Sequence, residues 1–432
     1  MRILVLTNFY PPYELGGQEQ SCEDVVGGLK RRGHHLVVLT SMHGTHNLPV
    51  EADGIFRWLY LEMELATPGH SIRFFTERKR RERHNLDCLQ RVVEQTGPDA
   101  VFIWGMWNLP RSLPALAEAL CPGRVVYRFG DYWPTLPSQH VFYWHTAGRS
   151  WLACLAKRLL SAVALAMMAR DGALPRLKFE HTICISAALR DTLVECGIPV
   201  SDARIIHNGI DVEPYLQCRQ HQATPREDRP LKLLYAGRLA PEKGVDTAIK
   251  AMAGVVFGRR LGDVRLSIVG SGTPDYEDVL QQLVIEAGLT DSVAFLGRVP
   301  REAMPELLPQ FDVLVFPSIW KEPFGRVLLE AMISGLVVVA AGHGAPCEIV
   351  ADGENGLLFT PGDAEDLAEK IATLAGDDQT RRRLVDAGAQ TVLERFTIAR
   401  MLDQIENCLK DVAGFGTETV QASPGQAPVS TV

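Results

Sequence analysis

One stretch limits what this chain can fold into more than any other: FDVLVFPSIWKEPFGRVLLEAMISGLVVVAA, residues 311–341. Val313, Leu314, Val315 and Phe316 read as a buried strand. Pro317, Ser318 and Pro323 mark the loop that follows, residues 324–334 carry a helical pattern, Gly335 stops it, and 336–341 form a second apolar strand. Strand, loop, helix, strand is the unit of a parallel α/β sheet, and such sheets bind ligands at the carboxyl ends of their strands. Glu322 stands where the helix begins and Glu330 about two turns further on, a rise of roughly 10–12 Å. Carboxylates that far apart serve neither one proton transfer nor one metal ion. They suit two hydroxyl-bearing ends of an elongated ligand, with the free N–H groups of the helix start offering an anion site between them. A lone E-x7-E would read as an acid complementing the helix dipole followed by a solvated one. The setting between two buried strands favours the ligand.

At 432 residues two domains are expected, and 46% hydrophobic with 22% charged residues describes a folded globular chain. The net charge of −8 disfavours nucleic-acid binding. That charge is uneven: positions 1–210 hold 23 basic and 20 acidic residues, net +3, and the remainder holds 21 and 32, net −11. A basic first half points to an anionic surface or substrate there. Nine scattered cysteines with no C-x-x-C pair argue against a disulfide framework or a zinc site and fit a reducing cytoplasm. The start, MRILVLTNFYPP, fits a first buried strand better than a secretory signal.

In order, a strand at 3–7, the segment NFYPPYELGGQEQ, a helix with Val25, Val26 and Leu29, and a strand at 36–40 make a β-α-β unit. It lacks G-x-G-x-x-G, but Gly16-Gly17 offers bare backbone to a ligand. Residues 71–91 are Arg-rich and helical, a solvated face or a contact for acidic lipid headgroups. Strands at 100–104 and 124–129 follow, the second delivering Gly130-Asp131-Tyr132-Trp133 to its carboxyl end. Residues 151–169 have the length of a membrane span, but Lys157 and Arg158 near the middle make a buried or interfacial amphipathic helix the better reading. After strands at 181–185 and 203–206 comes His207-Asn208-Gly209-Ile210-Asp211, and polar 217–230 reads as a linker or mobile loop. A second α/β series begins at Leu231. Its first strand ends at Gly237-Arg238 and the next helix opens after Lys243-Gly244, so two cations stand where a diphosphate would be held. Gly270-Ser271-Gly272 forms a close-approach turn after the next strand. A helix at 276–288, a strand at 293–296 and a helix at 301–308 lead into the 311–341 stretch. Beyond it the chain reads as helical at 364–375, 379–394 and 396–412, and the Gly-, Pro-, Ser- and Thr-rich tail has little to bury.

Together these residues resemble the GT-B glycosyltransferases of the retaining family 4 type (glycosyl transferases group 1). The resemblance rests on Gly16-Gly17, Gly33-His34, Asn208-Gly209-Ile210-Asp211, Gly237-Arg238-x4-Lys243-Gly244, Gly270-x-Gly272, Pro317-Ser318-x3-Glu322-x-Phe324-Gly325-x4-Glu330-Ala331 and Glu348-Ile349-Val350. It implies two Rossmann-like, doubly wound parallel-sheet domains facing across a cleft, with the last helix returning to the first. The expected division is 1–208, acceptor side; 209–395, donor side; 396–412, the returning helix; and 413–432, a disordered tail. A nucleoside-diphosphate sugar has the layout that Glu322 and Glu330 suggest, and the resemblance makes it the donor substrate. Arg238 and Lys243 would neutralise the leaving diphosphate without a metal ion or other cofactor. Glu322, with backbone amides around Phe324 and Gly325, would contact the sugar and Glu330 the ribose. Gly16, Gly17, Gly270 and Ser271 would complete the donor site. Where the family often has His-Asp, this chain has Gly130-Asp131, so Asp131 keeps its place and the histidine is missing; His140, His145 and Arg128 are the nearby substitutes.

The expected activity is sugar transfer to a hydroxyl acceptor with retention, in the cytoplasm and in peripheral contact with the membrane. That acceptor is a lipid-linked or polysaccharide precursor. The alternatives are a non-catalytic nucleotide-sugar-binding subunit and a GT-B phosphorylase or epimerase.

Overall fold

The computed structural model describes residues 1–45, 47–64, 69–146, 151–221, 230–258 and 264–414. The expected tail therefore lies almost wholly outside the described residues, as does most of the second half of the linker. Two sheets organise the chain. The first contains β1 (Arg2–Thr7), β2 (His35–Ser41), β3 (Glu51–Ala52), β4 (Ile55–Leu59), β5 (Ala100–Gly105), β6 (Val125–Phe129), β7 (His181–Cys184) and β8 (Arg204–Ile205). Its order is β3-β4-β2-β1-β5-β6-β7-β8, and all neighbours are parallel except the β3–β4 pair. The second contains β9 (Leu231–Ala236), β10 (Val264–Val269), β11 (Val293–Gly297), β12 (Val313–Phe316), β13 (Val337–Ala341) and β14 (Leu357–Phe359), wholly parallel in the order β11-β10-β9-β12-β13-β14. The small antiparallel hairpin was not expected from the sequence. Asp53-Gly54, with φ of 52° and 78°, makes its two-residue turn.

Both faces of each sheet are covered, which is why the strands read as continuous apolar runs. In β1, Leu4 and Leu6 pack with Val37, Leu39 and Leu89, while Ile3 and Val5 pack with Val25, Leu29 and Phe102 on the other face. That second face also receives the last helix, Ile398–Val412, through Met401, Leu402, Ile405 and Leu409. Each such side chain contributes roughly 1.5–3 kcal/mol by its burial, so apolar packing holds the helix here more than the Arg32–Glu406 ion pair does (2.7 Å). The chain reaches it through a crossing point where Ile210 and Ile398 exchange backbone hydrogen bonds with their opposite segments. A Cβ on Gly209 would lie 2.3 Å from the Thr397 carbonyl oxygen, so the glycine of the Asn-Gly-Ile-Asp motif is required by the crossing itself.

Residues 217–221 of the stretch read as linker belong instead to a helix (Glu213–His221), which packs against the helix Arg326–Ser334. The expected helix at 301–308 is broken into short α and 3-10 pieces, since Pro305 and Pro309 interrupt its hydrogen bonding. The apolar segment forms the helix Trp151–Arg170, with Ala164 packed near Phe74 and Trp144 and with Leu159, Leu160 and Val163 exposed.

Candidate active site

The carboxyl ends of β1, β6, β9 and β12 face one cleft of about 520 Å³. The second-sheet wall is built from two interlocked loops. After β9, the turn Pro241–Lys243 ends at Gly244, whose φ of 65° and whose Cβ position, 2.1 Å from the Pro317 carbonyl oxygen, admit only glycine. The Ile319 N–H and the Ser318 hydroxyl both donate to the Glu242 carbonyl (3.0 and 3.2 Å), which fixes Lys243 against the loop after β12. Lys243 Nζ is bonded to Glu322 Oε1, and Ser318 Oγ donates to the same oxygen at 2.9 Å. Lys243 also stands 5.2 Å from the centre of the Trp320 ring. Arg238 is different in kind: its side chain is 61% exposed and, among the described residues, is held only by Glu242 at 3.0 Å.

Glu322 is buried in the loop, four residues before the helix Arg326–Ser334 starts. The expected start at 324 shifts because Gly325, at φ 97°, is left-handed and serves as the N-cap. Phe324, Gly325, Arg326 and Val327 all line the cleft, so the first free N–H groups of this helix open onto it. Glu330, one turn further, is buried and accepts a hydrogen bond from Arg326 Nε at 3.1 Å.

On the first-sheet wall Gly16 and Gly17 open the helix Gly17–Arg31. Glu19 closes its capping box, accepting from the N–H groups of Gly16 (3.0 Å) and Leu15 (3.3 Å). A Cβ on Gly16 would meet nothing within 4 Å, and one on Gly17 would meet only Arg326 Cδ at 3.8 Å. The fold does not require these glycines; what they leave is bare backbone in the cleft. Burial pushes the Glu19 carboxyl up to about 7, against the pull of the N–H groups of Glu19, Gly16 and Leu15. Burial likewise pushes Asp131 up to about 6, moderated by the Trp133 N–H (2.8 Å) and the Gln18 amide.

Three of the residues that sequence reasoning set near the missing histidine separate here. His140 stacks on His70 (5.4 Å between ring centres) in a different cavity, and His145 bonds the Val141 carbonyl in an exposed position. Only Arg128 lines the cleft, where it lies 3.9 Å over the Trp104 ring and donates to Asn208; burial pushes its guanidinium down to about 9. Gln18 fills the space that a side chain at 130 would enter, since a Cβ on Gly130 would stand 3.3 Å from Gln18 Cδ. Gln18, Glu19, Trp320 and Arg326 escaped the sequence reading. The Gly16-to-Glu19 spacing is a capping-box signal that could have found Glu19, while the others have no local signature. Gly270 and Ser271 stand outside the cleft lining. Gly270, at φ 140°, packs a bare Cα against the Gly237 carbonyl, and the Ser271 carbonyl accepts from Leu239 N at 2.9 Å, so both brace the strand end that carries Arg238.

The two walls touch directly. Tyr132 donates to the Lys321 carbonyl (2.8 Å), Ser186 to the Pro323 carbonyl (2.7 Å), and Glu348 accepts from His207 (2.9 Å) and from the N–H groups of Ala187 and Ala188. Among the described residues no group of three or more His, Cys, Asp or Glu side chains is placed to hold a metal ion.

The family model for Glycosyltransferase Family 4 matches residues 15–214, and that for Glycosyl transferases group 1 matches residues 217–391. A phosphatidyl-myo-inositol mannosyltransferase of Mycobacterium leprae is 35% identical over 224 residues, 52% of this chain and 57% of that protein, so the match spans little more than half of the relative. A glycogen synthase of Mycobacterium tuberculosis is 26% identical over 422 residues, 94% of each chain. In fold, the chain is similar to Anabaena Alr3699/HepE solved in complex with UDP and glucose, with a TM-score of 0.66, 22% identity, and coverage of 95% of this chain and all of that one. Two parallel-sheet domains in this arrangement, with the two family models matched one after the other over residues 15–214 and 217–391, place the chain in the group 1, family 4 glycosyltransferases of GT-B fold.

Proposed function

We propose that this protein transfers a sugar from a nucleoside-diphosphate sugar to a hydroxyl acceptor, with retention and without a metal ion. The observation that carries this is the second-sheet wall: Arg238, Lys243, the open helix start at Arg326, Glu322 and Glu330 all face one cleft. The departing diphosphate gains most from cations and N–H groups in an oxocarbenium-like transition state, so Arg238 and Lys243 carry the largest share of the rate. Glu322, whose known bonds both fall on Oε1, anchors the sugar hydroxyls. Glu330 takes the ribose, and bare Gly16 and Gly17 let the first-sheet backbone approach the phosphate. Asp131 lies on the acceptor side of the cleft. UDP in the similar Anabaena protein supports a nucleotide donor.

The acceptor is lipid-linked in this reading. Exposed Leu159, Leu160 and Val163 on one helix, and exposed Ile72 at the start of the Arg-rich helix His70–Thr96, suit shallow contact with an anionic bilayer. The phosphatidylinositol acceptor in the name of the mycobacterial relative agrees with this. Among the described residues no helix is long and apolar enough to cross a membrane. The test is turnover of UDP-, GDP- and ADP-sugars by the wild type and by Arg238→Ala, Lys243→Ala and Glu322→Ala. Wild-type rates in all three variants would remove the assignment. Co-sedimentation with phosphatidylglycerol but not phosphatidylcholine vesicles checks the membrane contact.

A further inference from the structure

The Arg326–Glu330 contact does not end at Glu330. Arg326 is the first residue of its helix and lies against the first-sheet wall, where its Nη1 stands 2.9 Å from Asp24 Oδ2, an ion pair outside aligned hydrogen-bond geometry. Asp24 belongs to the helix Gly17–Arg31 of the other lobe and is itself held by Arg301 Nη2 at 2.7 Å. The side chains of Arg326 and Glu330 are each only 10% exposed, so this Arg301–Asp24–Arg326–Glu330 chain is weakly screened by water. Its two cations and two carboxylates balance.

We propose that Asp24 is a positioning residue for Glu330, acting across the cleft through Arg326, so that the carboxylate reading the donor's ribose is correctly presented only when the two lobes are together. This rests on Glu330 as the ribose contact. The chemistry follows from the planar guanidinium, which can meet a carboxylate with two parallel N–H bonds. Asp24 holds the guanidinium at Nη1, and in that orientation Arg326 reaches Glu330 Oε1 through Nε, while the Tyr215 hydroxyl also bonds this carboxylate. Without Asp24 the guanidinium is free to turn and set Nε and Nη2, its parallel pair, against both oxygens of Glu330, and the ribose hydroxyls then compete with an arginine for the same acceptors. Arg301 keeps Asp24 aimed at this task. Lobe contact and ribose recognition thereby become one equilibrium, since the ligand favours the state that presents Glu330.

The test is calorimetric titration of the full chain with UDP, GDP and ADP, followed by the 2′,3′-dideoxy form of whichever binds most tightly. The readout is the ratio of the two dissociation constants. A ribose held by a buried carboxylate predicts about tenfold to hundredfold preference for the ribonucleotide in the wild type, and close to none in Glu330→Gln. Asp24→Asn is expected to lose most of that preference, Asp24→Glu to regain part of it, and Arg326→Lys, which keeps the charge but not the fork, to retain part. A structural role alone would weaken both nucleotides equally and leave the ratio unchanged. Wild-type preference surviving in Asp24→Asn overturns the positioning role and leaves the ribose contact standing. If Asp24→Asn does not fold, the same ratio is read in Asp24→Ser, where survival of the wild-type preference overturns the positioning role. Wild-type protein that binds the diphosphate with no preference removes the ribose role of Glu330, and this inference with it.

Discussion

The second-sheet wall of the cleft is made of charged side chains that already hold one another, whereas the first-sheet wall is made of bare backbone and buried acids, with its arginine, Arg128, turned to Asn208 and the Trp104 ring. Lys243, Ser318 and Glu322 are bonded together, and Gly244 cannot be anything else because the Pro317 carbonyl occupies the place of its Cβ. Gly16 and Gly17 sit opposite with no steric reason to be glycine, beside Glu19 and Asp131, whose carboxyls burial pushes toward neutrality. One wall is preorganised for an anion. The other offers room, and acceptors that can carry a proton near neutral pH.

Substitutions can break or sharpen that contrast. The largest effect is expected from Lys243→Ala, with a fall in kcat/KM of about 10²–10³, or roughly 2.7–4 kcal/mol of barrier, and Arg238→Ala should fall in the same range. Steady-state kinetics checks both. Glycine replacements separate the walls next: Gly244→Ala should lose about 1–3 kcal/mol of stability from strain alone, measured by urea unfolding. Gly16→Ala should stay within about 0.5 kcal/mol in the same assay while weakening nucleotide-sugar binding. The third effect is pH-dependent. Asp131 is raised from 3.8 to about 6, and Glu19 from 4.5 to about 7, so the folded state holds protons that the unfolded state has released. Their contribution to stability is full below the unfolded-state values and is lost as pH rises through about 6 and about 7. Melting temperature should therefore fall less between pH 4 and 7 in Asp131→Asn than in the wild type, and an unchanged slope would deny Asp131 this role. The smallest expected effect is none: with Arg238 and Lys243 proposed to do the neutralising, EDTA should leave turnover unaltered.

Much of the second wall could be read directly, because its residues act within short stretches. Gly237 to Gly244 and Pro317 to Glu330 each carry their own turn chemistry and strand ends, and the loops they predict are the ones that meet. The parallel sheets were legible for a related reason: strands buried on both faces have no polar alternation to confuse them. What stayed hidden depends on distance along the chain. Gln18 fills the space beside Gly130, and Asp24 reaches Arg326, across separations that no spacing encodes. Gly270 has the composition of a ligand loop but supports Gly237, because a close approach between two backbones and one between backbone and ligand both call for glycine. His140 lies near Asp131 in sequence, yet its helix, Gln139–His145, turns it toward His70.

The central claim is that a leaving diphosphate is gripped by Arg238, Lys243 and the helix start at Arg326. Its most direct test is a crystal structure of the protein soaked with the tightest-binding nucleoside diphosphate. Phosphate oxygens are expected within hydrogen-bond distance of both cations and of the Arg326 or Val327 N–H, with the ribose at Glu330. A diphosphate bound in the His70–His140 cavity, or in the cleft with Lys243 still bonded to Glu322 and touching no phosphate, would contradict it.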